Sequence, residues 1–360
     1  MSNERNPSEE NTTPDHWQDV EQLQNTLARY LREHEAGRSH NPREILEWTR
    51  EELHRLLAAS SEDVVDVSVR DLLASYWEQV SRRRNVASTG FSGLNDVLSG
   101  GIEDSRLVIL LGAPNTGKTT FAHQIADHIA DSGRPVLYVT SEDSPSALMA
   151  KTLARIGGVN YTAVLKGWES ERAQIDVALV RQIDRMSSDR LHYLDVTNGV
   201  DDMDVIREKA AAHFSRYSDA SQGGGPGMLV VDYLQRIARA IKTRSGMSQD
   251  LREVVTQVAE QLRALSCELH CGVMAIASQN RAGYSRGDAG AMASAKESGD
   301  IEYTCDVLMA LGEDKDQRRN VPAGMLPIML YVDKNRQGQR GRAIPLDFWS
   351  DRQQFTEVAQ

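Results

Sequence analysis

Residues 112–119 read GAPNTGKT, which satisfies the spacing Gly-x-x-x-x-Gly-Lys-Ser/Thr. Glycines at the first and sixth positions let a backbone wrap closely round a phosphate. An apolar run, LVILL, precedes the motif and a helical stretch follows it. Backbone N–H groups at the positive end of that helix would then cradle phosphate oxygens. The candidate nucleotide-binding set is Gly112, Ala113, Pro114, Asn115, Thr116, Gly117, Lys118, Thr119 and Thr120. Within it, Lys118 reaches the β- and γ-phosphates and Thr119 offers a hydroxyl to Mg²⁺.

Three further residues stand where a strand should end. Asp232 closes the apolar run GMLVVD and is the candidate metal-side carboxylate, with a capping aspartate as the alternative. Glu142 follows PVLYVTS; it could polarise a water for attack on a γ-phosphate or be a solvated strand-end glutamate. Gln279 in IASQNR could report the γ-phosphate or be a loop amide. Ligands of open α/β sheets bind at such strand ends.

Two basic segments follow the Asp232 and Gln279 strands. RIARAIKTRSGMS carries Arg239, Lys242 and Arg244, and NRAGYSRGDAG carries Arg281 and Arg286. Both read as loops without the apolar period of a packed element, so they are either a path for a single-stranded phosphate backbone or solvated loops. A third basic stretch, YVDKNRQGQRGR (331–342), places four cations within nine residues. In an extended chain alternate side chains face the same way, so Lys334 and Arg336 project together. Two cations aimed at one place suit a developing phosphate charge, on this chain's nucleotide or a neighbour's. Arg340 and Arg342 read as turn charges.

The elements that must position these groups are legible as pattern. Short β-rich runs (LVILLG, PVLYVTSE, LHYLDV, GMLVVDY, GVMAIASQ, DVLMALG, LPIMLYVDK and AIPLDFW) alternate with helical stretches, notably 118–131 and 248–270. That is an α/β fold, a mostly parallel doubly wound sheet finished by a C-terminal β-hairpin. Ahead of it, residues 1–15 read as a disordered tail and 16–60 as an α-helical hairpin, its second helix opening at NPRE. Residues 61–88 read as a linker helix and connection, with Val69, Leu72, Leu73, Tyr76, Trp77 and Val80 on one broad face. So apolar a face must dock on the main domain or on another subunit.

Composition narrows the class. The formal net charge is −11, which argues against a surface that coats nucleic acid broadly but allows a local basic channel. Neither an apolar run of roughly 20 residues nor an apolar leader core is present, so a cytoplasmic protein without membrane contact is expected. Three cysteines do not make a disulfide framework. The segment CELHC, with Cys267, His270 and Cys271, has no second ligand cluster and reads as a helix end.

In order along the chain, STGFSGLNDVLSGG, GAPNTGKTTFAHQIA, VLYVTSEDS, VVDYLQRI, ASQNR, KESGDIEYTCDVLMAL and KNRQGQRG resemble the ATPase domain of DnaB-type replicative helicases, over about residues 64–357. The resemblance implies a RecA-like P-loop core over 89–360 that binds ATP and Mg²⁺. Glu142 would be the catalytic glutamate, Asp232 the metal-side aspartate and Gln279 the γ-phosphate sensor. Lys334 and Arg336 would enter the adjacent subunit's ATP site. The segments from Arg239 and Arg281 resemble the family's channel loops for single-stranded DNA, and residues 67–84 its linker helix, which closes a hexameric ring. The expectation is therefore a homo-oligomeric, hexameric ATP-dependent DNA helicase. Two alternatives stay open: a RadA-like recombination ATPase, and an ATP-gated oligomeric DNA-binding switch. SAKESG stands for the family's usual Asp-Leu/Ile-Arg-Glu-Ser-Gly, IEYTCD for IEQDAD, and EDS (103–105) for a Pro-Gly turn. The residues before 60 suffice only for a hairpin, which leaves a loader or primase-like partner, and a host, phage, plasmid, mobile-element or defence setting, open.

Overall fold

Alternating apolar runs and helices become one mixed nine-stranded sheet. The computed structural model describes residues 85–185, 190–197, 202–217, 227–245, 250–278, 299–314 and 321–358, with positions 26, 28–30, 49–50, 68–70, 73 and 76 of the N-terminal region. The chain divides into two compact units, Met1–Arg83 and Arg84–Gln360. In the first unit the described residues are largely helical, and Val69, Leu73 and Tyr76 are exposed. The expected tail at 1–15 lies outside the described residues, as does most of the expected hairpin at 16–60.

The second unit opens with β1 (Val86–Ala87), α1 (Ser92–Val97) and β2 (Ile102–Glu103), with β1 and β2 paired antiparallel. Then come β3 (Arg106–Gly112), α2 (Lys118–Asp131), β4 (Val136–Thr140), α3 (Pro145–Gly157), α4 (Tyr161–Lys166), α5 (Arg172–Arg185) and β5 (Leu191–Asp195). The chain continues through α6 (Met203–Ser215), β6 (Met228–Asp232), α7 (Leu234–Ser245), α8 (Leu251–Glu268), β7 (Gly272–Ser278), α9 (Gly299–Thr304) and β8 (Val307–Glu313). It closes with β9 (Met325–Asn335), β10 (Arg342–Trp349) and β11 (Gln354–Glu357).

The strand order is β11-β10-β9-β8-β3-β7-β6-β4-β5. The six strands from β8 to β5 are parallel and the last three form an antiparallel meander. Parallel strands are covered on both faces and read as continuous apolar runs; β3, β4, β6 and most of β7 are buried. One face packs Phe121, Ile125 and Ile129 of α2 against Val108, Leu110, Tyr138 and Val230. The other packs α6, α7 and α8 against Leu107, Ile109, Leu229 and Val231.

The segment RIARAIKTRSGMS departs from its reading as a loop. Through Ser245 it belongs to helix α7, with Leu234, Ile237 and Ala238 fully buried and Ile241 packed on the same core. The spacing of these four residues is helical, but Arg236, Arg239, Lys242 and Arg244 are interleaved with them and hide the apolar stripe. Arg239, Lys242 and Arg244 therefore project from a rigid element. The segment with Arg281 and Arg286 lies outside the described residues, and so does Gln279.

Candidate nucleotide site

Strand β3 delivers the phosphate loop at the carboxyl edge of the sheet. Two residues there need a left-handed backbone, Asn115 at φ 66 and Gly117 at φ 82. A Cβ on Gly117 would also lie 2.8 Å from the Phe355 ring, so the position has no room for a side chain. Phe355 stacks on Phe348 with centroids 4.4 Å apart and meets Phe121 edge-on, which seats the C-terminal meander beneath the start of α2. Gln124 exchanges two hydrogen bonds with the Phe355 backbone, and Thr120 donates to Gln353 at 2.7 Å.

Lys118 folds back over the loop and donates from Nζ to the Ala113 carbonyl at 2.8 Å. Burial lowers its ammonium from the ordinary lysine value, and the Asp232 and Glu142 carboxylates act in the opposite sense. The three charges therefore share one environment. Together with Thr119 they line a cleft of about 450 Å³, bounded also by Tyr233, Phe348, Ser350 and Gln353.

Asp232 is 2% exposed. Burial raises its carboxyl to about 6, against hydrogen bonds from Thr119 and Tyr138. Glu142 lies two residues beyond β4 and is exposed to the cleft. Its neighbour Asp143 pairs with Lys151 of α3 at 2.8 Å, so a second lysine lines the cleft already neutralised. Thr119 and Asp232, with Glu142 nearby, make an all-oxygen donor set. Mg²⁺ prefers such ligands and keeps several waters, so the set fits this metal.

Ser141 fastens the end of β6 to β4. Its amide and hydroxyl both donate to the Asp232 carbonyl, at 2.8 and 2.7 Å, and Tyr233 N donates to its Oγ at 3.1 Å. Gln235 similarly exchanges two hydrogen bonds of 3.1 Å with the backbone of Ser278, the residue before Gln279. Ser141, Gln235 and Gln353 are not recognisable from sequence spacing, because their partners Asp232, Ser278 and Thr120 lie far away in the chain; Lys151 meets Asp143 locally and belongs to no motif.

Lys334 and Arg336 do converge, at the other edge of the sheet. A bulge in the β8–β9 pairing between Leu308 and Met309 leaves Asp333 without a partner residue. The side chains beyond it change face: Asn335 donates to Val97 O, while Lys334 and Arg336 turn together toward α9. Lys334 donates to the carbonyls of Glu302 and Tyr303, and Arg336 donates to Tyr303 O at 2.7 Å. Arg336 N bonds Asp306 O, and Asp306 N bonds Leu107 O, which places Arg336 level with the start of β3. Gly112 is five residues further along that strand, about 16 Å at 3.3 Å per residue. The pair cannot reach the phosphate loop of its own chain in this arrangement.

Among the described residues no group of three or more His, Cys, Asp or Glu side chains could hold a metal ion, and no helix is long and apolar enough to cross a membrane. Cys271 is buried, which pushes its thiol up to about 12.

Residues 87–357 match the family model described as the DnaB-like helicase C terminal domain. Replicative DNA helicase DnaB of Pasteurella multocida (strain Pm70) is 28% identical over 277 residues, which are 76% of this chain and 56% of that protein. Replicative DNA helicase DnaC of Bacillus subtilis (strain 168) is 25% identical over 338 residues, 86% of this chain and 69% of that one. The chain spans a little over half the length of the first relatives it matches, 56% and 55%. Among solved structures, a DnaB-like replicative helicase, described with its interactions with primase, superposes with a TM-score of 0.66 at 18% identity, over 86% of this chain and 72% of that one. A second solved structure, of an ATPase domain, superposes with a TM-score of 0.65 at 18% identity, over 82% and 100%. At that identity the likeness is one of fold.

Proposed function

The chain belongs to the DnaB-like helicase C-terminal domain family, and from that premise we propose that it is a Mg²⁺-dependent ATP hydrolase that works as a homo-oligomeric, hexameric ring on single-stranded DNA and unwinds duplex ahead of it. The observation that carries the reading is the separation of two half-sites on one sheet. Lys118, Thr119, Asp232 and Glu142 line the cleft at the carboxyl edge, and Lys334 with Arg336 converge at the opposite edge. A nucleotide meets both sets only between two copies of the chain.

In this reading the loop amides and the N-terminus of α2 bind the phosphates. Lys118 exchanges the Ala113 carbonyl for the β- and γ-oxygens. Thr119 and Asp232 would hold Mg²⁺, which supplies charge neutralisation at the β- and γ-phosphates. Glu142, open to the cleft, orients the attacking water and takes up its proton. Arg336 and Lys334 of the neighbouring copy stabilise the charge that develops on the transferred phosphoryl group. A supplied arginine is worth roughly 10³–10⁵ in rate in related systems, so assembly gates hydrolysis. Exposed apolar residues support assembly: Val69, Leu73 and Tyr76 in the first unit, and Leu165, Trp168 and Val180 in the second.

Single-stranded DNA would run past Arg239 and Lys242 of α7 and the segment with Arg281 and Arg286. Gln279 would be the γ-phosphate sensor; the residue before it, Ser278, is tied to α7 through two hydrogen bonds with Gln235. ATP hydrolysis assayed with and without single-stranded DNA, beside strand displacement and solution mass with and without ATP, tests the whole. Hydrolysis without DNA stimulation or displacement identifies an ATP-gated switch instead.

A further inference from the structure

Tyr138 contributes nothing to the lining of the cleft, yet its hydroxyl ends on a residue that does. Strands β4 and β6 are parallel neighbours in the register Tyr138↔Val230 and Thr140↔Asp232. Tyr138 and Asp232 both face α2, and the phenol reaches forward to donate to Asp232 Oδ2 at 3.0 Å. The ring has no latitude. It is fully buried, with His123 edge-on at 5.5 Å and Tyr193 at 6.1 Å. His123 is itself fixed by a 2.8 Å hydrogen bond to the Tyr193 hydroxyl.

A carboxylate can rotate about its last torsion, which is broad. Fastening Oδ2 to a buried, immobile donor stops that rotation and leaves the rest of the carboxylate to Thr119 and the cleft. Ser141 meanwhile holds the Asp232 carbonyl and the next amide, so backbone and side chain are both tied to β4. Outer partners of this kind orient metal-binding carboxylates, and their loss costs about 10–100-fold in metal affinity.

We propose that Tyr138 is a positioning residue for the divalent metal, holding Asp232 Oδ2 from behind so that the carboxylate meets Mg²⁺ in one orientation. The proposal rests on the reading of Asp232 as the metal-side carboxylate. Tyr138→Phe removes the hydroxyl and keeps the ring. Mn²⁺ binding to the full chain with a non-hydrolysable ATP analogue, followed by electron paramagnetic resonance, gives the midpoint. The expected result is a rise of about tenfold or more, with binding of the analogue in EDTA unchanged. Tyr138→Leu, which removes the ring as well, must show the same rise when measured below its unfolding transition. A residue that only packs would lower the thermal midpoint and leave the Mn²⁺ midpoint alone. Midpoints within twofold of the parent in both variants overturn the proposal. Asp232→Asn separates the two layers: if it shifts the midpoint and the Tyr138 variants do not, Tyr138 is structural. If Asp232→Asn shifts nothing, the metal reading of Asp232 falls, and Tyr138 with it.

Discussion

Arg336 stands 3.6 Å from the Asp306 carboxylate, but Asp306 does not depend on it. The same buried carboxylate takes Arg263 Nε at 2.8 Å, Arg106 Nη1 at 3.4 Å and the Leu107 amide at 3.0 Å. Of the three guanidinium groups Arg336 is the most distant and, at 47%, the most exposed. In the proposed ring Arg336 would leave this position for the neighbouring copy's nucleotide, and Asp306 would keep Arg263, Arg106 and the Leu107 amide.

Arg336→Ala should therefore fold normally, with a stability loss within about 1 kcal/mol, the range of exposed pairs. It should bind ATP like the parent and hydrolyse it at least about 10³-fold more slowly. Mixing it with Lys118→Ala subunits should restore part of the activity, because an intact phosphate loop then faces an intact Arg336. Turnover by the single variant at the parent rate would remove the trans assignment.

Both Glu142 and Asp232 line the cleft, but Glu142 is exposed and Asp232 only 2% exposed, which suits the proposed division between water and metal. Glu142→Gln should retain nucleotide affinity and lose about 10²–10⁴ in turnover, the usual contribution of a general base. A variant that still turns over normally would return Glu142 to a solvated strand end.

Arg239 is exposed on helix α7, and Lys242 lies one turn further along the same helix. The double change Arg239→Ala/Lys242→Ala should weaken single-stranded DNA binding. It should also flatten the plot of log affinity against log salt, by about 0.7 for each phosphate no longer neutralised. The ATPase rate without DNA should not move. An unchanged slope would take α7 off the DNA path.

Burial holds folded His123 down to about 4, against the opposing Asp127 carboxylate and an ordinary value of 6.5. Below pH 6.5 the unfolded chain takes up a proton that the folded chain refuses, so stability from this residue is lost as pH falls from 6.5 toward 4. Asp104, raised by burial to about 7, and Asp232, raised to about 6, act in the opposite sense. Comparing parent with His123→Gln cancels both. The parent's stability relative to the variant should fall by about 2 kcal/mol between pH 7 and pH 5. Parallel denaturation profiles would contradict this assignment.

Local sequence determined the phosphate loop outright, because its glycines, lysine and threonine act within one turn of chain. Apolar runs likewise marked the strands at β3 through β10; β3, β4, β6, β7 and β8 are parallel, mostly buried strands that need no alternation to be seen. Alternation at residues 331–336 paired Lys334 with Arg336, but the bulge at Asp333 decided which face they share. Helix α7 was hidden because four cations interrupt its apolar stripe. Only the strand order put Glu142 and Asp232 on neighbouring strands, both beside Lys118 in one cleft, and put Arg336 at the far edge of the same sheet. The Tyr138–Asp232 hydrogen bond spans 94 residues of chain and depends on the register of β4 against β6. Register and strand order are properties of pairing between distant segments, and they come into being only when the sheet assembles.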